Sequence, residues 1–257
     1  MGGDQIEDRR GMRAGPVGAV GGGLGLIGLL ITLLLGGNVL GDDGSGGTGV
    51  SGGAPDPGDD QAQFVGFVVN DVQDFWTEEL SRNGRQYPET KLVLFSQATQ
   101  TGCGFASSQT GPFYCPPDNK VYIDLTFFRE LHERFGAPGD FAQAYVIAHE
   151  FGHHVQTVLR LDAERQQGGN EASVRFELQA DCLAGVWGRD ADRRGVLEAG
   201  DVEEGLAAAA SVGDDRIQEA TQGRADPESF THGSSEQRMA AFQRGFQGAR
   251  LESCLTA

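Results

Sequence analysis

Relative to its length, the sequence is short of positive charge. Its 20 lysines and arginines stand against 37 aspartates and glutamates, a net charge of −17 over 257 residues. No basic field exists to displace counterions from phosphates, so nucleic acid is excluded as a partner. The acidic surface is mainly a matter of solubility. Cysteine is scarce too: Cys103, Cys115, Cys182 and Cys254 are the full set. None stands at C-x-x-C spacing, which disfavours a thiolate zinc site. No internal repeat is present. Histidine is rare, with five in the chain, yet three of them crowd into 149–154.

What the chain does have is an uneven distribution of apolar residues and glycine. A hydrophobic content of 39% allows one sizeable domain plus appendages. Glycine concentrates in the first 60 residues and describes a tail rather than a fold. Between Arg13 and Asp42 there is no charged residue. As a helix that run would reach roughly 40 Å, more than the ~30 Å hydrocarbon core of a bilayer. The expected layout is a cytoplasmic tail at 1–13, a transmembrane anchor at 14–40, a Gly/Asp-rich linker at 41–61 and a folded domain at 62–257. Arg9, Arg10 and Arg13 precede the run and Asp42 and Asp43 follow it. The positive-inside rule therefore puts the N-terminus in the cytoplasm and the domain outside it. A cleaved signal peptide is the runner-up, because the densest apolar run, Leu24 to Leu35, is short enough for an h-region. No A-x-A site follows, which favours an uncleaved anchor.

Within the domain, Phe64, Val68, Val72, Phe75, Trp76 and Leu80 recur at helical spacing over 62–82. Strands are expected at 91–97 and 120–125, and the turn at Pro116 to Asn119 can fold 112–115 back on the second strand. Helices follow at 127–135, 140–160 (with Asp140 as N-cap), 171–192, 201–212 and 214–221. Ser234, with Gln237 three residues on, starts another. The expected class is α+β, mainly helical with a small sheet. His132 is most simply a solvated surface residue.

Chemistry concentrates on the helix carrying His149-Glu-Phe-Gly-His153. Residues four apart lie one turn apart on nearly the same side, so His149 and His153 can offer two imidazoles to one metal ion. Glu150, one step round, can take a proton from an activated water without being a ligand. His154 is about 100° further round and is not a natural third ligand. On the next helix Glu177 and Asp181 are four apart beside apolar Phe176, Leu183 and Trp187. Two carboxylates facing a core are costly unless something positive meets them. A single zinc ion on His149 and His153 is that partner, with Glu177 as third ligand and Asp181 as the acceptor orienting a histidine N–H. His232 stands in the loop before the Ser234 helix. There it can donate to an oxyanion, or it can be a capping-region residue with no role.

An even cysteine count in a domain placed outside the cytoplasm favours disulfides. The pairing favoured is Cys103 with Cys115 and Cys182 with Cys254; a cytosolic domain would instead carry four buried thiols.

With these residues in view, the sequence resembles the neutral zinc metallopeptidase family of bacterial single-span membrane proteins. The resemblance rests on Thr101-Gly-Cys-Gly104, Gly111-Pro-Phe-Tyr-Cys-Pro116, Val121-Tyr-Ile-Asp124, His149-Glu-Phe-Gly-His-His-Val-Gln156, Glu177-Leu-Gln-Ala-Asp-Cys182 and Thr231-His-Gly-Ser234. It also looks like the membrane-associated gluzincin peptidases, which implies a zincin-like fold with Glu177 as third ligand and Asp181 supporting. The function expected is hydrolysis of a peptide or protein substrate by a zinc-activated water with Glu150 as general base. The alternative is a non-catalytic, membrane-tethered protein with a structural zinc, and a weaker third is a hydrolase acting on a non-peptide amide.

Overall fold

The computed structural model of the protein describes residues 5–11, 59–162 and 168–255. The expected anchor at 14–40 and most of the linker at 41–61 lie outside them. Among the described residues no helix is long and apolar enough to cross a membrane. The chain divides into two compact units, residues 1–67 with 90–127 and residues 68–89 with 128–257.

The first unit holds a four-stranded sheet built from β1 (Ile6–Asp8), β2 (Lys91–Phe95), β5 (Phe113–Cys115) and β6 (Lys120–Asp124), in the order β1-β2-β6-β5. β1 and β6 both run parallel to β2, while β5 pairs antiparallel with β6. An inner strand is covered on both faces, which is why Leu92 to Phe95 is a continuous apolar run, buried throughout, rather than an alternating one. The expected turn at Pro116 to Asn119 joins β5 to β6. Asn119 takes a left-handed φ of 52°, a conformation asparagine tolerates better than most residues. A separate hairpin, β3 (Ala98–Thr101) with β4 (Gly104–Ser107), was not expected from the sequence. Cys103 at its tip is bonded to Cys115 of β5.

β1 is the larger difference, because its residues fall in what the sequence suggests is a tail. Three residues are too few for an alternation signal, and the strand exists only through its partner. Leu92 donates its backbone N–H to Gln5 and Arg9 donates to Leu94, at 2.9 and 2.7 Å. Ile6 is buried.

The second unit is helical. α1 (Asp60–Arg82) leads into it, and α2 (Thr126–Glu133), α3 (Asp140–Leu159), α4 (Gly169–Arg193), α5 (Asp201–Ser211), α6 (Asp214–Gln222), α7 (Ser235–Gly248) and α8 (Glu252–Leu255) follow. Two close crossings set the site. A Cβ on Gly152 of α3 would stand 3.0 Å from the Ala180 carbonyl of α4, so the glycine of the histidine motif lets the two helices meet. A Cβ on Gly245 of α7 would stand 1.8 Å from the Cys182 carbonyl, so α7 lies directly on α4. Phe141, Trp187, Tyr145 and Phe242 fill the space among them, with Phe141 stacked on Trp187 and Phe242 edge-on to Tyr145. The Cys182–Cys254 bond ties α8 to α4, the second pairing expected.

The start of α3 differs in detail. Gly139 is its N-cap and Asp140 is the first helical residue. The amide of Phe141 donates instead to the Glu204 carboxylate of α5, at 3.3 Å. At α7 the expected capping box of Ser234 with Gln237 is present. His132 is exposed on α2, as the sequence suggests.

Candidate metal centre

α3 carries His149, Glu150 and His153 on buried turns, and α4 brings Glu177 against them; each is at least nine-tenths buried. Glu177 Oε2 lies 3.3 Å from His149 Nε2 and 3.5 Å from His153 Nε2. Buried though they are, His149 Nε2 and Glu177 Oε2 make no hydrogen bond. Atoms that approach without bonding point at a common centre. Ligands at ~2.0–2.1 Å in a tetrahedron around zinc lie roughly 3.3 Å apart, which is the spacing found. The donor set of two imidazoles and one carboxylate suits zinc, and the three atoms fall within 4.8 Å of one another.

The other ring nitrogens are held so that Nε2 is left free. His149 Nδ1 faces Asp181 Oδ1 at 2.8 Å, and His153 Nδ1 faces Gln156 Oε1 at 2.8 Å. An acceptor at Nδ1 keeps the proton there and turns the Nε2 lone pair toward the metal position. Gln156 is itself fixed, its amide donating to the Phe176 carbonyl and to Gln179 Oε1 at 2.7 and 2.9 Å. Burial works against charge on His149, but the carboxylates of Asp181 and Glu177 outweigh it and push its pKa up to about 9. Burial would raise Glu177, yet the imidazoles of His153 and His149 hold it well below the usual carboxylate range. The pocket thus favours a cation. His154 takes no part: its Nε2 lies 2.7 Å from the Pro88 carbonyl and its ring packs edge-on against Tyr87.

A family model described as "Putative neutral zinc metallopeptidase" matches residues 1–257. The chain belongs to that family. Among its relatives are the protein YpfJ of Escherichia coli (strain K12), 44% identical over 98% of this chain and 95% of the relative, and two mycobacterial proteins. These are Rv2575 of Mycobacterium tuberculosis (strain ATCC 25618 / H37Rv) and Mb2605 of Mycobacterium bovis (strain ATCC BAA-935 / AF2122/97), each 48% identical over 66% of this chain and 63% of the relative. No solved structure matches.

In this metallopeptidase-family chain the surroundings of the centre include residues that the sequence reading missed. Arg238 of α7 is fully buried and forks onto Asp181, with Nε 2.8 Å from Oδ2 and Nη2 2.9 Å from Oδ1. Tyr145 donates its hydroxyl to the same Oδ1 at 2.5 Å. Burial would raise Asp181, but Arg238 and then His149 bring it down to about 2, so it stays an anion at neutral pH.

His232 is placed just as specifically. Asp214, the first residue of α6, accepts from the backbone amides of Thr231, His232 and Gly233 at 2.7, 2.7 and 3.1 Å, so the loop is wound around its carboxylate. Its other oxygen faces His232 Nδ1 at 3.1 Å. Burial would raise the Asp214 carboxyl, but the contacts with His232 lower it. His232 Nε2 is left buried without a partner. It lies outside the three-atom ligand set. Asp214 has no sequence signal of its own, being one of a pair of aspartates at a helix start. Gln156 had one, since it stands a turn beyond His153 on the same helix.

Proposed function

We propose that the protein is a zinc metallopeptidase whose single zinc ion is held by His149, His153 and Glu177. The observation that carries this reading is the approach of both Nε2 atoms to Glu177 Oε2 at 3.3 and 3.5 Å, with His149 Nε2 and Glu177 Oε2 buried and unbonded. A zinc ion there would lower the pKa of water and polarise a carbonyl. The chain's own residues do the rest. Glu150, adjacent to His149 and buried, takes the proton from the attacking water and passes it to the leaving amine. His232, its Nδ1 held by Asp214, offers Nε2–H to the oxygen that gains charge as the peptide carbonyl is attacked. Asp181 and Gln156 keep both ligand imidazoles in the tautomer that binds metal. The substrate is a peptide or protein. Two disulfides suit a domain that works in an oxidising compartment.

Three donors rather than four favour an open, catalytic site over a closed, structural one. Zinc titration and peptide-library digestion of His232→Ala test this. Retained zinc affinity with cleavage reduced on the order of a hundredfold supports the oxyanion role. A large loss of zinc affinity would make His232 a fourth ligand and the site structural.

A further inference from the structure

Two of the three arginines that signal a cytoplasmic N-terminus, Arg9 and Arg10, are engaged within the first unit. Arg9 Nε binds Glu7 at 2.7 Å, and its Nη1 reaches the Gln100 carbonyl at 3.0 Å. Its guanidinium also lies over the Tyr122 ring, 5.7 Å from the centroid. Arg10 bridges Asp8 and Asp59, each at 2.5 Å. Glu7 also receives Lys120 Nζ of β6 at 2.7 Å. With Ile6 buried and β1 in parallel register on β2, residues 6–8 are part of the sheet and Arg9 and Arg10 are held beside it. Gly11 and Asp59 bound the stretch outside the described residues, and the Arg10–Asp59 pair holds the two ends of that excursion together.

An excursion that starts and ends on one folded unit cannot cross a bilayer once. Crossing twice is also beyond its uncharged part. In lipid the backbone must satisfy itself as helix, and the run between Arg13 and Asp42 then reaches roughly 40 Å, against roughly 60 Å for two passages. We infer that residues 5–11 and the folded domain lie on the same side of any membrane the chain meets, so the uncharged run does not carry it across. The inference is independent of the zinc centre. It replaces the expected arrangement of N-terminus inside and domain outside.

The test uses the full chain with one epitope ahead of Met1 and another after Ala257, expressed in a bacterium. Intact spheroplasts and inverted vesicles are treated with protease. Both epitopes should be digested together in one preparation and survive together in the other; recovery of the whole protein in the soluble fraction equally supports the absence of a crossing. Digestion of one epitope with protection of the other, reversed in inverted vesicles, overturns the inference. A second readout is limited trypsinolysis of the purified protein. Cleavage at Arg9 and Arg10 should be slow in the wild type and at least tenfold faster in Ile6→Asp. Equal rates would show that β1 is not docked, and would overturn it as well.

Discussion

Asp181→Asn keeps the shape of the side chain and removes its charge, and the structure sets what that costs. One carboxylate oxygen accepts from Tyr145, His149 and Arg238 at 2.5, 2.8 and 2.9 Å, and the other from Arg238 at 2.8 Å. An amide supplies one acceptor where two are used, and turns an N–H₂ toward donors. Arg238, 2% exposed, would keep the Val212 carbonyl at 3.2 Å but lose its counter-charge. Leaving a buried charge uncompensated costs about 3–5 kcal/mol. His149 would lose the acceptor that fixes its tautomer, which lowers metal affinity by roughly 10–100-fold. Adding Arg238→Met separates the two effects. The double variant has no stranded cation and should recover stability over Asp181→Asn alone, but its zinc affinity should stay low. Urea unfolding of the metal-free protein reads stability through Trp76 and Trp187, both buried in the second unit, and competition with a chromophoric chelator reads affinity. An Asp181→Asn protein within ~0.5 kcal/mol of wild type, or a double variant less stable than either single one, would refute the reasoning.

Other outcomes follow from the same contacts. Gly245→Ala places a methyl 1.8 Å from the Cys182 carbonyl and should cost about 1–3 kcal/mol through the forced separation of α7 and α4, seen as a lower thermal midpoint. Replacing Cys182 and Cys254 with alanine opens a link across 72 residues and should cost about 4 kcal/mol, against about 3 for Cys103 and Cys115, 12 residues apart, with the tryptophan signal responding to the first pair. Burial acts to raise the Glu7 carboxyl, but Arg9 and Lys120 outweigh it and bring it to about 2, from 4.5 when unfolded. Its contribution is therefore complete above pH 4.5 and is lost as pH falls toward 2. Backbone amides at 6–9 should exchange hydrogen faster, after correction for the intrinsic rate, at pH 3 than at pH 6.

The candidate metal centre was legible because its spacing is helical. His149, Glu150 and His153 share consecutive turns of one helix, and Glu177 with Asp181 repeats that spacing on the next, so period alone puts each set on one side. What period does not carry is contact between distant segments. Arg238 is an arginine near a helix start, a residue ordinarily at the surface, and only the crossing of α7 over α4 buries it against Asp181. Asp214 acquires its place only when the 231–233 loop folds round it. β1 is shorter than any pattern can register, and its partner lies more than 80 residues away. The long strands and helices were legible to within two or three residues at their ends. The β3–β4 hairpin, polar and four residues to a strand, was not.

The central claim is that His149, His153 and Glu177 hold a zinc ion beside a catalytic Glu150. Zinc content measured together with peptide-library cleavage, on wild type and Glu150→Gln prepared alike, tests it most directly. The account predicts equal zinc in both proteins, close to one per chain, with cleavage lost by at least a hundredfold in the variant. Undiminished cleavage by zinc-loaded Glu150→Gln, or no zinc bound by the wild type, would contradict it.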